Sequence, residues 1–405
     1  MEKKKAVKEF PAALPLRKLI GPSFIILAMG LGSGEVILWP YLTTNYGLGL
    51  AWAALLGITF QYFINMEIER YALVRGESVF VGLGKIFRWA PYWFIVSTFV
   101  GFGLPGIIAA SAQVIATLLG LANFKWLALG MLVTIGLIIS SGKTVYTLME
   151  KLTRTIIIIG VPFIFVLAVI LATQADWSAL WQGLIGRGQG FVFIPEGISL
   201  AAFLAAFAYS GAGGNLNLTQ SIYVKEKGYG MGLYAQKIKG LFTDVKVSQE
   251  IQLEGTDFAL TPGNLKRFHQ WWRRVSLEHA LVFWLVGIVS MLMLMLLAHS
   301  TAFGTENIAS GINFVLAEGD IIGGELGPLV GALFLLGVGI MLFQTQLGIL
   351  DSTSRIMSEN AALIKLSDQK NGKINLSRIY FLFLWAQILF GSVMFLLNIY
   401  EPKTL

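Results

Sequence analysis

Nine long apolar segments constrain the fold of this chain more than any other feature of its sequence. Each holds roughly 20 mostly apolar residues, the length that crosses the hydrocarbon core of a bilayer. Lipid offers the backbone no hydrogen-bond partner, so these segments are predicted to be helices, and their continuous apolarity excludes the alternating pattern of a membrane β-barrel. They cover residues 20–41, 48–66, 91–119, 124–141, 155–173, 197–222, 276–298, 327–349 and 379–397.

Charged residues are scarce, at 13% of 405 residues, about half of the roughly 25% that is usual in soluble domains. This composition excludes a cytosolic enzyme, and the absence of cysteine excludes disulfides, thiolate metal sites and thiol nucleophiles. The sequence contains no P-loop motif and no set of residues typical of catalysis, so neither a primary pump nor an enzyme is expected.

The basic residues predict the orientation of the chain. With the N-terminus in the cytoplasm, 27 of the 30 Lys and Arg residues lie on the inner side, as expected for a protein of the plasma or inner membrane. The net charge of +7 therefore reflects topology, and no nucleic-acid partner is expected. The inner loop 224–274 is the longest soluble segment. Residues 244–253 are predicted to form a hairpin, and residues 304–318 a short amphipathic helix on the outer surface.

Two glycine-rich runs interrupt the first and sixth apolar segments, from Gly30 to Glu35 and from Ser210 to Asn215. Five spans separate their starts, so the two segments run in opposite directions across the bilayer. Such a pair indicates an inverted repeat whose broken helices meet at the midplane. The prediction divides the chain into an N-terminal arm (1–19), a first repeat (20–173), an outer loop (174–196) and a second repeat (197–405).

Glu35 is the only acidic or basic residue deep inside an apolar segment. An ionised side chain there costs roughly 2.5–3.5 kcal/mol or more, so a functional role is expected. The alternative is a protonated acid that is hydrogen-bonded to a neighbouring helix. Asn215 occupies the equivalent position in the second run. Gln344 and Gln346 either face the same site or form interhelical hydrogen bonds.

Four residues near the inner ends of the segments are candidates for proton transfer or gating. Glu67 belongs either to a solvated inner face or to a gate. His279 is a possible proton relay because its ordinary pKa lies near neutrality. Asp351 and Arg355 are four residues apart, and a local ion pair is the simplest interpretation.

Three stretches resemble the Nramp family of divalent-metal transporters: Gly21-Pro22, Glu67 to Arg70 with Arg75 to Glu77, and Gly214 to Leu218. The resemblance implies an all-α, LeuT-type fold of five plus five inverted helices with discontinuous helices 1 and 6. It also implies uptake of manganese or iron with protons. A five-plus-five core needs ten spans and nine are visible, so we expect the last helix or helices to be missing.

The chain departs from the family at both broken helices. The family's Asp-Pro-Gly-Asn falls on Gly32, Ser33, Gly34 and Glu35, and its Met-Pro-His on Ala212, Gly213 and Gly214, before Asn215. The family's carbonyl ligand maps to Tyr209. The candidate ligands that remain are all oxygens, which suit hard cations such as magnesium or manganese.

These observations predict a secondary transporter of divalent cations of the Mn/Fe/Mg class that works by alternating access. Glu35 and Asn215 are the predicted metal ligands, and proton coupling is left open. The alternative is an ion-coupled transporter of a small organic solute on the same fold. No cofactor is expected. The expected partners are the lipid bilayer and the transported cation, with the chain acting as a monomer.

Overall fold

The computed structural model describes residues 7–19, 21–141, 145–235, 237–238, 241, 253–304, 311–368 and 374–399. In this part of the chain the structure is almost entirely helical, and the only paired strands described are β1 (Val7–Lys8) and β2 (Asp257–Phe258), which are parallel. The helices are α1 (Pro22–Gly30), α2 (Trp39–Tyr46), α3 (Ala51–Arg75), α4 (Val79–Ile86), α5 (Ala90–Phe102), α6 (Gly106–Leu118), α7 (Lys125–Ser141), α8 (Val145–Leu171), α9 (Gln174–Gly183), α10 (Leu200–Ala208), α11 (Asn215–Leu218), α12 (Gln220–Lys227), α13 (Pro262–His279), α14 (Val286–Ala302), α15 (Ile312–Leu326), α16 (Pro328–Asp368) and α17 (Leu376–Leu396).

Two π-helical turns join consecutive helices. One, Ser33–Leu38, lies between α1 and α2, and the other, Ala280–Leu285, lies between α13 and α14. Short 3-10 turns cover Leu16–Lys18, Leu48–Leu50 and Gly230–Tyr234.

The membrane-spanning helices agree with the apolar segments of the sequence. Among the described residues, six helical stretches are long and apolar enough to span a bilayer, and α1 with the helix that follows it adds a seventh, bent by 42°. The apolar helix α7 is shorter, and the sixth predicted segment consists of three short helices, α10 to α12. Each of the nine segments therefore corresponds to helical structure. The third segment is divided into α5 and α6, and Pro105 lies directly before α6.

The helix α16 is the central packing element. It has 41 residues, about 60 Å at 1.5 Å per residue, and it packs against α1, α5, α6, α8, α15 and α17. Its apolar residues Phe334, Val338 and Leu342 are buried and share one face at a spacing of four. The same helix carries Thr345, Asp351 and Arg355, whose contacts are described below.

The N-terminal arm contacts β2 and the first turns of α13. Beyond the pairing of β1 with β2, the Phe10 ring packs edge-on against Phe258 and Phe268, with centroids 4.7 and 6.0 Å away. The Phe10 N–H donates to the Asn264 side chain (3.1 Å). Residues 244–252 of the predicted hairpin lie outside the described residues. The predicted outer helix begins at Ile312 and extends to Leu326, and residues 305–310 are not described.

Candidate functional site

The first broken helix opens between α1 and the π-helical turn that carries Glu35. The break is centred on Gly32, whose φ of −126° and ψ of −129° interrupt the helical path. Thr345 of α16 lies against Gly32, and its hydroxyl donates a hydrogen bond to the Ala28 carbonyl (3.1 Å). A backbone acceptor released by the break is thus satisfied by a neighbouring helix, as membrane burial requires.

The second broken helix needs three glycines in the left-handed region. Gly211, Gly213 and Gly214 have φ values of 119°, 67° and 53°, which L side chains adopt only with strain. Gln61 of α3 bridges the gap: its amide donates to the Ala208 carbonyl (2.7 Å) and its oxygen accepts from the Gly213 N–H (3.4 Å). The freed backbone groups are therefore held by a side chain that sequence reasoning missed.

The two breaks touch each other through their backbones. A Cβ atom on Gly30 would lie 2.7 Å from the Gly211 backbone, and one on Gly34 would lie 2.6 Å from the Tyr209 carbonyl oxygen. Trp39 adds a hydrogen bond from its indole N–H to the Ser210 hydroxyl (3.0 Å). The prediction that the glycine runs mark two broken helices that meet is confirmed.

Glu35 is fully buried at this junction, with 0% exposure. Within the described chain, neither carboxylate oxygen of Glu35 has a hydrogen-bond partner. The turn that carries it packs against α2, α10, α14 and α15. A buried ionised carboxylate without a partner is strongly unfavourable, so the group requires a proton or a bound cation. The alternative of a hydrogen bond to a neighbouring helix is not found among the described residues.

Asn215 is hydrogen-bonded to α5. Its amide nitrogen donates to the hydroxyls of Ser97 (2.9 Å) and Thr98 (3.1 Å) on α5. The unpartnered buried amide oxygens of the described region belong to Asn65, Asn217, Gln220 and Asn360. The role of Asn215 as a second ligand beside Glu35 stays a prediction.

The other predicted site residues differ in burial and in hydrogen bonding. The Tyr209 carbonyl accepts the Gly211 N–H (2.8 Å) and is thus already engaged. Ala212 is buried, whereas Gly214 is exposed.

Gln344 has a buried amide nitrogen without a partner in the described chain and lines a small cavity beside the first break. Gln346 is also buried, but Thr345 between them is the residue that contacts the break. Ser33 belongs to the π-helical turn, and its side chain lies outside the described residues.

Glu67 and the Asp351–Arg355 pair form no hydrogen bond with Glu35 in the described chain. Glu67 is exposed and accepts from Arg70 (2.9 Å), as expected for a solvated inner face. The predicted ion pair of Asp351 and Arg355 is present, with Arg355 Nε 2.9 Å from both carboxylate oxygens. It is fully buried and extended by Glu226, Tyr223 and Tyr380, which the sequence did not indicate.

His279 is buried near the beginning of α1. Its Nδ1 atom lies 2.8 Å from the Ser23 hydroxyl and 3.2 Å from a Glu69 oxygen. The sequence signal for Glu69 was its spacing of four from Asn65 and of eight from Gln61, which places all three on one face of α3.

The donor atoms near Glu35 suit only some cations. Among the described residues, no group of three or more His, Asp or Glu side chains is arranged to hold a metal ion. A cation at the junction would therefore be held by one carboxylate together with amide oxygens, carbonyl oxygens and water. This donor set is typical of hard cations.

Comparisons with known proteins identify the fold. No protein-family model matches the chain, and no curated protein matches its sequence. Among solved structures, mutant forms of the Eremococcus coleocola manganese transporter match with a TM-score of 0.63 and 11% identity, covering 98% of this chain and 75% of theirs. A complex of that transporter with an aromatic bis-isothiourea substituted compound has a TM-score of 0.62 and 11% identity, covering 100% of this chain and 76% of the other. A nucleobase-cation-symport-1 family transporter, closed with bromovinylhydantoin bound, has a TM-score of 0.57 and 13% identity, covering 97% and 75%.

The chain has the LeuT-type fold. The similarity extends over nearly the whole chain, which confirms the predicted all-α membrane architecture with discontinuous helices 1 and 6. At 11–13% identity the likeness concerns the fold, and the Nramp resemblance rests on the sequence motifs alone.

Proposed function

We propose that this protein is a secondary transporter that moves a divalent cation of the Mn/Fe/Mg class across the cytoplasmic membrane by alternating access. The observation that carries the proposal is Glu35, a fully buried carboxylate with no partner in the described chain, at the junction of two broken helices. A bound cation removes the cost of this buried charge, and release of the cation restores it. Binding and release at one carboxylate are the elementary steps that transport needs.

The oxygen donors favour magnesium or manganese as the transported ion. Asn65 and Asn217 have unpartnered amide oxygens in the described structure. Magnesium retains several of its waters when proteins bind it, whereas manganese accepts the same oxygen ligands.

Transport in proteoliposomes tests the role of Glu35. We expect manganese uptake by the purified protein, and a decrease of at least about tenfold for Glu35→Gln, because the amide cannot neutralise a cation. Glu67→Gln makes the same change at an exposed carboxylate and should retain normal uptake. Normal uptake by Glu35→Gln would exclude the proposed site. Internal pH measured in the same vesicles tests whether protons accompany the ion.

Unpaired amides support a second candidate, an ion-coupled transporter of a small organic solute. Asn65, Asn217 and Gln344 have unpartnered polar atoms in the described chain, and such groups orient polar organic ligands. The nucleobase-cation-symport-1 family transporter with a similar fold was solved with bromovinylhydantoin bound. Thermal stabilisation by nucleobases or amino acids, with no metal flux, would favour this candidate.

The remaining proposals concern topology and assembly. The Lys and Arg distribution supports a cytoplasmic N-terminus in the plasma or inner membrane. The paired glycine breaks support an inverted repeat with copies at 20–173 and 197–405. We also propose that the protein acts as a monomer.

A further inference from the structure

A line of buried polar side chains runs along α3 from the second break to the beginning of α1. Gln61, Asn65 and Glu69 have 5%, 0% and 1% exposure and share one helix face. The other side of the same helix exposes Phe60, Phe63 and Ile64, as a lipid-facing surface does. Such a polar line in an otherwise apolar span is costly and calls for a function.

The line ends in a cluster of four side chains, which we call the Glu69 cluster: Ser23, Glu69, Glu278 and His279. The Ser23 hydroxyl donates to Glu278 Oε2 (2.6 Å) and lies 2.8 Å from His279 Nδ1. His279 Nδ1 lies 3.2 Å from Glu69 Oε1, which also accepts from the Gln220 amide. Every member is at most 4% exposed, and the cluster joins α1, α3 and α13.

Three polar atoms of the cluster have no partner among the described residues: Glu69 Oε2, Glu278 Oε1 and His279 Nε2. The His279 ring is stacked on Phe283 (4.7 Å between centroids) and Tyr62 (5.6 Å). An imidazolium would leave a buried Nε2–H without an acceptor, so the ring is best accommodated as the neutral form that carries its proton on Nδ1. The histidine therefore supplies no fixed positive charge to the two carboxylates.

The two carboxylates differ in how their charge is balanced. Glu278 caps the N-terminus of α1, where it accepts from the Gly21 N–H and the Ser23 hydroxyl, and a helix N-terminus favours an anion. Glu69 contacts only neutral donors, from Gln220 and His279. No lysine or arginine of the described chain forms an ion pair with Glu69. A second buried anion beside Glu278 is strongly unfavourable, and a proton on Glu69 removes it.

We propose that the Glu69 cluster is a proton-binding site in which Glu69 takes up the proton, His279 and Ser23 connect it to Glu278, and Glu278 holds the beginning of α1. The free oxygen Glu69 Oε2 accepts a proton from water and becomes a neutral carboxylic acid. A proton is favoured over a metal ion because the described residues offer no group of three His, Asp or Glu ligands there.

The surrounding charges come from several elements. The titratable groups that face the cluster are Tyr62 of α3, Tyr146 and Glu150 of α8, Glu226 and Lys227 of α12, Tyr229, and Arg355 of α16. Lys227 is bonded to both oxygens of Glu150 (2.7 and 2.6 Å). Arg355 is hydrogen-bonded to Asp351 and forms an ion pair with Glu226. These two cations thus already neutralise other carboxylates.

The bound proton controls the position of the beginning of α1. When Glu69 loses its proton, two anions face each other in a medium of low dielectric constant, and their repulsion falls if Ser23 and α1 move away and water enters. Proton release therefore favours an opening at this end of α1. Its place in a transport cycle rests on the proposed alternating access, whereas the site itself does not depend on which solute is moved.

Cysteine accessibility tests the inference without any substrate. The chain contains no cysteine, so Ile25→Cys, at a fully buried position two residues after Ser23, provides a single reporter. The alkylation rate of the folded protein in liposomes is divided by the rate of the same protein unfolded in detergent, which removes the pH dependence of the thiol. We expect the ratio to rise between about pH 5.5 and about pH 8.5, by up to about tenfold for each pH unit.

Substitutions identify the group whose titration causes the pH dependence of the alkylation ratio. In the Ile25→Cys background, Glu69→Gln should keep the low-pH ratio at every pH, and Glu67→Gln, two residues away and exposed, should behave as the parent does. A pH-independent ratio in the parent, or an unchanged pH dependence in Glu69→Gln, would overturn the proposal. If Glu69→Gln does not fold, Glu278→Gln must remove the pH dependence instead, because it removes the second charge. If the protein carries no metal but the Ile25→Cys alkylation ratio still depends on pH, only the proposed function is contradicted.

Discussion

Glycine contacts show how strictly single residues determine the junction of the broken helices. A Cβ atom on Gly30 would lie 2.7 Å from the Gly211 backbone, which cannot rotate away as a side chain does. We expect Gly30→Ala to destabilise the protein by about 1–3 kcal/mol because overpacking displaces the backbone. Thermal unfolding of the purified protein measures this. Gly130→Ala on α7, where an added Cβ meets nothing within 4 Å, is the control and should be neutral or stabilising.

Glu318 on α15, outside the spanning helices, provides a pH-dependent term in stability. Burial raises the pKa of Glu318 to about 8, and a hydrogen bond from Thr301 opposes this only in part. In the unfolded chain the carboxyl ionises near its ordinary value of 4.5, whereas the folded form keeps its proton up to about pH 8. Between these values the unfolded state binds fewer protons, so stability should fall as pH rises.

The variant Glu318→Gln tests this sign directly. It should flatten the decline in melting temperature over the interval between the two pKa values, and it should be more stable than the parent at the upper end. An equally steep decline in the variant would assign the pH dependence to other groups. Thermal scans at constant ionic strength provide the measurement.

At the scale of elements, the sequence predicted where the helices break but not what holds the breaks together. Glycine runs and the apolar pattern are local signals, and they were sufficient to locate both discontinuous spans. The partners of the released backbone groups, Gln61 on α3 and Thr345 on α16, come from distant parts of the chain. The hydrogen bonds of Asn215 are of the same kind, because its amide nitrogen donates to hydroxyls of α5, which is distant in sequence. Periodicity in sequence does not encode such contacts.

The bridge from α3 to the second break yields a prediction for Gln61. Gln61→Leu keeps a similar volume but leaves the Ala208 carbonyl and the Gly213 N–H without their partner. An unsatisfied buried polar group costs about 1–3 kcal/mol, so we expect a lower melting temperature and reduced transport. Gln182→Leu on α9, which is exposed, is the control. An unaffected Gln61→Leu protein would show that water replaces the amide.

At the scale of the whole molecule, the asymmetry of the basic residues predicts which face of the fold is cytoplasmic. Lys and Arg near the ends of spans resist translocation, so 27 of the 30 are expected inside. Glu9 of the N-terminal arm has a side chain that is 80% exposed and pairs with Arg267 of α13. Glu325 is exposed at the end of α15. With no native cysteine, Glu325→Cys should react with a membrane-impermeant maleimide on intact cells. Glu9→Cys should react only after the cells are permeabilised, and the reverse pattern would invert the topology and place the Glu69 cluster on the outer side.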